Sequence, residues 1–282
     1  MQALEINGVR IPAFLYGTAW KEDRTKQLTV QAIQNGFRGI DTANQRKHYF
    51  EAAVGNALAE VIGKKQITRE ELFIQTKFTY QRGQDHRLPY DPKAPLPIQV
   101  QQSFSKSLLH LQTDYIDSYV LHGPSVWHIG LTQDDLDVWQ QMTELYREGK
   151  TRLLGVSNFS AQQLGLLLQN VSQRPHFIQN RCYASKGWDK EVRLLCAANG
   201  IIYQGFSLLT ANRQELKSDK LALLAKKFDK TVPQIIFRFC LQKGMLPLTG
   251  TTSVQHMQQD LAVFDFELDQ VEMNLIEQLS AA

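Results

Sequence analysis

Residues 36–43, GFRGIDTA, contain the unit from which the fold can be predicted. A segment with helical spacing, Thr25–Asn35, ends at Gly36, and the apolar run Phe37–Asp41 follows it. A second helical segment, Ala52–Ile62, comes next. Glycine often follows a helix C-terminus, and a short apolar run between two helices is typical of a buried parallel strand. The stretch therefore predicts one strand–helix unit of an α/β protein.

The same alternation of apolar run and helical segment continues along all 282 residues. Eight such units are the number that closes a (β/α)8 TIM barrel. The alternative is an open doubly wound sheet, but no GxGxxG follows the first strand, as a dinucleotide-binding sheet of that kind usually shows. We therefore expect residues 1–282 to form one α/β barrel domain. The predicted strands are Ala13–Tyr16, Phe37–Asp41, Leu72–Lys77, Tyr115–His122, Arg152–Val156, His176–Gln179, Ile201–Phe206 and Met245–Leu248.

Other elements are predicted around and between these strands. Apolar and polar residues alternate on both sides of Asn7-Gly8, a pair that favours the type I′ turn of a β-hairpin. Ser160 is expected to cap the helix that follows it. The predicted helices are Thr25–Asn35, Ala52–Ile62, Ile98–Leu111, Leu136–Glu148, Ala161–Asn170, Lys190–Asn199, Asp219–Phe228, Val254–Ala262 and a last one at Gln270–Leu279.

The composition excludes several classes of protein. Hydrophobic residues make up 43% of the chain, which excludes a disordered protein. The net charge of +3 is too small to indicate a nucleic-acid or membrane partner. The three cysteines are far apart and form no CxxC, so we expect neither a disulfide nor a metal site. With no signal peptide or membrane-spanning run visible, these features predict a cytoplasmic protein.

Polar residues end several of the predicted strands. Asp41, Lys77 and His122 end the second, third and fourth strands. Each alone could be a turn residue, a solvated lysine or a packed histidine. A barrel brings all of its strand C-termini to one face, where the active sites of such folds lie. Burying a Lys–Asp pair removes several kcal/mol of hydration per ion, so such a pair indicates a functional site.

The chain resembles the aldo-keto reductase superfamily along nearly its whole length. The resemblance rests on IPAFLYGTAWKE (11–22), GFRGIDTA (36–43), HYFEAAVGNAL (48–58), ELFIQTKF (71–78), DYIDSYVLHGP (114–124), GVSNFS (155–160) and FDFELDQVEMNLI (264–276). It implies a barrel with an N-terminal hairpin at its base. It also implies reduction of aldehydes or ketones to alcohols by hydride transfer from NAD(P)H, without a Rossmann domain.

The resemblance assigns four catalytic residues. Asp41, Lys77 and His122 align directly. The family tyrosine usually lies five residues after the aspartate, where this chain has Arg46. Counting back from Val54-Gly55 brings Tyr49 within one position of it, so we expect Tyr49 to be the general acid and His48 its competitor. Lys77 is expected to lower the pKa of Tyr49, Asp41 to hold Lys77, and His122 to position the carbonyl as a neutral donor.

The resemblance also implies a cofactor site, with a departure. The lysine and the arginine that are frequent near the adenosine 2′-phosphate are here Gly250 and His256, so NADP(H) is expected first and NAD(H) stays possible. Ser157, Asn158 and Gln179 are expected to hold the nicotinamide carboxamide, Phe206 to stack on its ring, and the Ser207–Asn212 loop to cross the pyrophosphate. The full set expected to contact the cofactor is Thr18, Ser157, Asn158, Gln179, Phe206, Ser207, Leu209, Gly250, Thr251, Thr252, His256, Gln259 and Asp260.

The expected substrate is a small carbonyl compound bound by Trp20, Tyr80 and residues of Gly123–Leu131, including Trp127. Larger members of the family that the chain resembles carry a C-terminal loop that narrows substrate choice. Little sequence follows the last predicted helix here, so the resemblance implies an open pocket and broad specificity for aldehydes and small ketones. The expected oligomeric state is a monomer. Two alternatives remain: an NADP(H)-binding regulatory barrel with little turnover, and a metal-dependent barrel hydrolase, which would need converging histidines or carboxylates.

Overall fold

The computed structural model describes residues 4–127 and 130–279. Eight parallel strands form a closed barrel in which β10 pairs with β3, so the two ends of the sheet meet. The predicted (β/α)8 fold is confirmed, and all eight predicted strands are present. Their bounds are β3 Leu15–Gly17, β4 Gly39–Asp41, β5 Phe73–Phe78, β6 Ile116–Leu121, β7 Thr151–Ser157, β8 Phe177–Arg181, β9 Ile202–Phe206 and β10 Leu246–Thr249.

The predicted hairpin precedes the barrel and closes its base. Strands β1 (Leu4–Ile6) and β2 (Val9–Ile11) pair in an antiparallel manner, and Asn7 and Gly8 both have positive φ, as a type I′ turn requires. The buried side chains of β2 then pack on residues near the N-terminal ends of the barrel strands. This second core cluster contains Val9, Ile11, Leu15, Phe73, Leu153, Phe177 and Leu246.

Helices surround the barrel and pack against it. Ser160 caps its helix as predicted, because its hydroxyl accepts a hydrogen bond from the Gln163 backbone N–H. The helix bounds are α1 Thr25–Gln34, α2 Glu51–Gly63, α3 Leu96–Leu111, α4 Gln133–Arg147, α5 Ala161–Asn170, α6 Lys190–Ala198, α7 Asp219–Phe228, α8 Val232–Gln242, α9 Val254–Leu261 and α10 Gln270–Glu277.

Helix α8 was not among the helices predicted from the sequence. Nearly all of it is buried, and its β-branched and aromatic residues Ile235, Ile236, Phe237 and Phe239 have a lower intrinsic helix propensity than alanine or leucine, so the segment resembles an apolar run. The signal that could have found it lies at its N-terminus. Thr231 and Gln234 form a capping box, and Pro233 occupies an early position where the absent N–H is no loss.

Candidate active site

The C-terminal ends of β4 and β5 bring together a buried ion pair. The Lys77 ammonium lies 2.7 Å from both carboxylate oxygens of Asp41 and 2.8 Å from the Thr42 carbonyl oxygen. Both side chains are almost fully buried. Burial lowers the pKa of Lys77, and the neighbouring Asp41 opposes that shift. The three donors of the ammonium therefore have partners, and its charge is balanced by one carboxylate.

Buried amides hold this carboxylate from the interior of the barrel. Gln75 and Gln179 each donate to Asp41 Oδ1, at 2.7 and 3.0 Å, and both also donate to Gln204. The sequence analysis missed Gln75 and Gln204, although polar residues inside otherwise apolar strands could have indicated them. Together these side chains fix Asp41, and through it Lys77, in one orientation.

Tyr49 lies beside the ion pair but does not bond to it. The Lys77 ammonium is 5.1 Å from the centroid of the Tyr49 ring, and the Tyr49 hydroxyl makes no hydrogen bond with any residue that the structure describes. Burial raises the pKa of Tyr49, and the negative charge of Asp41 raises it further. The net direction is thus opposite to the lowering expected from Lys77, whose charge is paired with Asp41.

His48, the competitor for the role of acid, also lines the site. Its ring lies 4.1 Å from that of Trp20, centroid to centroid, and its pKa is lowered by partial burial and by Lys47. Both His48 and Tyr49 face the same cleft. Tyr49 is the residue that contacts His122, with ring centroids 5.8 Å apart in an edge-on arrangement.

His122 is the fourth residue at this end of the barrel. Burial lowers its pKa well below the ordinary value, and the Lys77 charge lowers it further, so the imidazole is neutral at pH 7. The Asn158 side-chain amide donates to the His122 carbonyl oxygen at 2.8 Å. The structure thus places Asp41, Tyr49, Lys77 and His122 next to one another at one mouth of the barrel.

A cleft of about 870 Å³ opens beside these residues. Of the side chains expected to contact a cofactor, only Thr18 is absent from its walls, because Thr18 is buried and donates to the Asp41 carbonyl oxygen. Lys77 is fully buried and does not line the cleft either. The expected residues that line the cleft are Trp20, Asp41, Tyr49, His122, Ser157, Asn158, Gln179, Phe206, Ser207, Leu209, Gly250, Thr251, Thr252, His256, Gln259 and Asp260.

The inner end of the cleft offers free hydrogen-bonding groups beside the four residues. The Ser157 hydroxyl donates to the Gln179 carbonyl oxygen, and the Asn158 amide nitrogen donates to Ser157. The side-chain oxygens of Asn158 and Gln179 accept no hydrogen bond from the residues described. Phe206 lines the cleft next to them, with the Arg181 guanidinium 5.7 Å from its ring centroid.

Lys21, which the sequence analysis missed, lies near the outer end of the cleft. Its side chain is only 6% exposed, and its ammonium donates to the Gly250 carbonyl oxygen at 2.7 Å. A Cβ atom on Gly250 would lie 3.7 Å from the Lys21 nitrogen. No carboxylate pairs with Lys21 within residues 4–127 and 130–279, and burial lowers its pKa to about 8, with the Arg24 charge adding to the shift. Lys21 is therefore a buried cation that has no anionic partner among the described residues.

The residues expected to bind substrate are only partly brought to the cleft. Trp20 is 71% exposed at its edge. The Tyr80 hydroxyl instead donates to the Asp135 carboxylate and to the Asp134 carbonyl oxygen, both in the first turn of α4. Trp127 does not line the cleft but packs over Gly123, next to His122. Residues 128 and 129 of the expected Gly123–Leu131 segment lie outside the described residues.

The described residues contain no group of three or more His, Cys, Asp or Glu side chains arranged to hold a metal ion. None of the helices among them has the length and apolar character that crossing a membrane requires.

Comparison with known proteins identifies the family. Glyoxal reductase of Bacillus subtilis (strain 168) is 32% identical over 278 residues, which are 97% of this chain and 91% of that protein. The Bombyx mori aldo-keto reductase AKR2E4, solved in complex with NADP, superposes with a TM-score of 0.81 at 28% identity over 99% of this chain and 92% of that one. AKR2E5, solved with NADPH, gives a TM-score of 0.83 at 25% identity over 99% of this chain and 87% of that one. The family profile matches residues 15–281, and this chain therefore belongs to the aldo/keto reductase family.

Proposed function

We propose that this protein reduces aldehydes and small ketones to alcohols with NADPH. The observation that carries the proposal is the position of Asp41, Lys77, Tyr49 and His122 at the inner end of one long cleft. The related glyoxal reductase supports a small, reactive carbonyl compound as the substrate. The exposed Trp20 and the volume of the cleft favour a range of such compounds over one of them.

The residues of the cleft fit a dinucleotide. The free oxygens of Asn158 and Gln179 can accept hydrogen bonds from a carboxamide, and Phe206 offers a flat face for an aromatic ring. Lys21 offers the charge that phosphate groups need at the other end. Gly250 and His256 occupy the positions where a lysine and an arginine are frequent in the family. Lys21, in the loop after β3, supplies a positive charge near Gly250 instead. This cation, and the NADP and NADPH held by the two Bombyx mori relatives, support NADPH over NADH.

The residues at the inner end would carry out proton transfer. When bound, the reduced nicotinamide supplies the hydride that adds to the carbonyl carbon. The carbonyl oxygen then acquires negative charge, which the N–H of neutral His122 and the hydroxyl of Tyr49 can stabilise. With its raised pKa, Tyr49 keeps its proton at pH 7. It can still transfer that proton, because an alkoxide is a stronger base than a phenolate. Lys77, whose charge is paired with Asp41, then places a positive charge beside the Tyr49 ring.

The test is an assay of NADPH and NADH oxidation with a reactive dialdehyde such as glyoxal, followed by loss of absorbance of the reduced nicotinamide. We expect turnover with both cofactors and a higher kcat/KM with NADPH. NADPH binding without turnover would instead support a regulatory barrel.

The proton donor is tested by Tyr49→Phe, with His48→Asn as the matched neighbour. We expect Tyr49→Phe to lower kcat by roughly 10²- to 10⁴-fold, the usual contribution of general acid catalysis. The Kd for NADPH, measured by fluorescence quenching, should change by less than about twofold, because the missing hydroxyl acts on the carbonyl oxygen. Full turnover of Tyr49→Phe together with loss of turnover in His48→Asn would transfer the role to His48.

A further inference from the structure

Thr79, directly after β5, makes the only side-chain hydrogen bond of His122 within the described residues. The Thr79 hydroxyl oxygen lies 2.7 Å from His122 Nδ1. The other ring nitrogen, Nε2, has no partner among those residues, while the ring itself lines the cleft. Thr79 is almost fully buried and does not line the cleft, so any effect on a substrate passes through His122.

The orientation of the Thr79 side chain is fixed by its surroundings. A β-branched side chain has few allowed χ1 rotamers. The methyl group of Thr79 packs against the backbone at Gly83 so closely that a Cβ atom there would lie 2.7 Å from it. Tyr90 and Gln84 both donate to the Thr79 carbonyl oxygen and hold the backbone. The hydroxyl is therefore held toward His122.

Counting donors and acceptors decides which nitrogen of the neutral ring carries the proton. If Nδ1 carried it, Nδ1 would donate to Thr79, and the buried Thr79 hydroxyl proton would have no acceptor among the described residues. If Nε2 carries it, the Thr79 hydroxyl donates to Nδ1 and both groups are satisfied. Buried polar groups are paired in the great majority of cases. We propose that Thr79 is a positioning residue that fixes the tautomer of His122 with the proton on Nε2, the nitrogen that remains free to bind a ligand.

This tautomer gives His122 the polarity that carbonyl reduction needs. A carbonyl oxygen accepts hydrogen bonds, so it requires an N–H and is repelled by the lone pair of a bare ring nitrogen. The tautomer is assigned from the contact between Thr79 and His122 alone. Only its consequence for catalysis rests on the proposed function.

The tautomer can be measured without any turnover. Protein labelled with 15N-histidine gives distinct nitrogen chemical shifts for protonated and bare ring nitrogens, and a His122→Asn variant identifies the His122 signals among those of the seven histidines. We expect a bare Nδ1 and a protonated Nε2 in the wild type, and a mixture of both tautomers in Thr79→Val. A protonated Nδ1 in the wild type would overturn the proposal, whether or not the protein reduces aldehydes.

Kinetics of the matched pair Thr79→Val and Thr79→Ser test the consequence for catalysis. Thr79→Val keeps the shape but removes the donor, so we expect kcat/KM for an aldehyde to fall about tenfold to a hundredfold, while the Kd for NADPH changes less than about twofold. Thr79→Ser restores the hydroxyl and should stay within about threefold of the wild type. Equal loss in both variants would show a packing role only and contradict the proposal.

Discussion

At the residue scale, the sequence predicts best the polar side chains whose positions are fixed by strand ends. Asp41, Lys77 and His122 lie at the C-terminal ends of buried strands, and a closed barrel brings those ends to one face. Tyr49 and Lys21 lie in loops, where position depends on packing that no local pattern encodes. The burial of Lys21 arises because the loop after β3 folds back onto Gly250, a contact between residues more than two hundred positions apart.

Removing the Lys21 charge should weaken cofactor binding. A hydrogen bond to a charged group contributes about 1.5–3 kcal/mol, so we expect Lys21→Met to raise the Kd for NADPH about tenfold to a hundredfold, with a smaller effect on NADH. Fluorescence titration measures both constants. Lys26→Met is the control, because Lys26 is exposed on α1 and pairs with Glu60 outside the cleft. The same Kd in Lys21→Met as in the control would contradict this assignment.

The affinity for NADPH should also fall as the pH rises from 7 to 9.5. Burial lowers the pKa of Lys21 to about 8, so its positive charge is present below that pH and is lost above it. Burial raises the pKa of Asp260, on the same cleft, to about 7, so a negative charge appears in the lower part of the window. The loss of the positive charge on Lys21 and the gain of the negative charge on Asp260 both weaken binding of a polyanion such as NADPH. His256, at the N-terminus of α9, also lines this part of the cleft.

Single variants separate these contributions, measured as the Kd for NADPH at each pH. In Asp260→Asn the rise in Kd should remain centred near pH 8, whereas in Lys21→Met the rise above pH 8 should disappear. A Kd that does not depend on pH in the wild type would show that neither group faces the bound phosphates.

At the element scale, α2 and α3 pack so closely that one position requires glycine. A Cβ atom on Gly55 would lie 1.8 Å from the carbonyl oxygen of His110, which is backbone and cannot rotate away. We expect Gly55→Ala to lower the free energy of unfolding by about 1–3 kcal/mol, as overpacking does. Gly63→Ala, at the end of the same helix, meets no atom within 4 Å and should be neutral or stabilising by up to about 1 kcal/mol. Urea unfolding of both variants measures the difference, and equal stability would contradict the contact.

Helices that expose one face to solvent were predictable, and the one that is buried on nearly all sides was not. The predicted starts of α1, α5, α6, α7, α9 and α10 coincide with the observed ones, because each buries one face and exposes another. Helix α8 is rich in β-branched and aromatic residues of low helix propensity, so only its capping box and the four-residue spacing of Gln234, Arg238 and Gln242 indicate a helix.

At the scale of the whole molecule, the number of strand–helix units was enough to predict the barrel, but not where its cleft runs. The first and last barrel strands, β3 and β10, pair with each other, and the loops after them supply Lys21 and Gly250. The end of the cleft that we propose for the cofactor phosphates therefore lies across the β3–β10 pairing that closes the barrel. A pattern read along the chain cannot show which side chains meet there, because their proximity exists only once the barrel has closed.

The hairpin β1–β2 covers the end of the barrel opposite the active site. Its apolar side chains pack against residues near the lower end of the barrel, whose interior is filled by side chains such as Gln75 and Gln204. On the proposed function, an alcohol product therefore leaves through the same cleft by which the carbonyl substrate enters. Incoming and outgoing molecules would then compete for one opening.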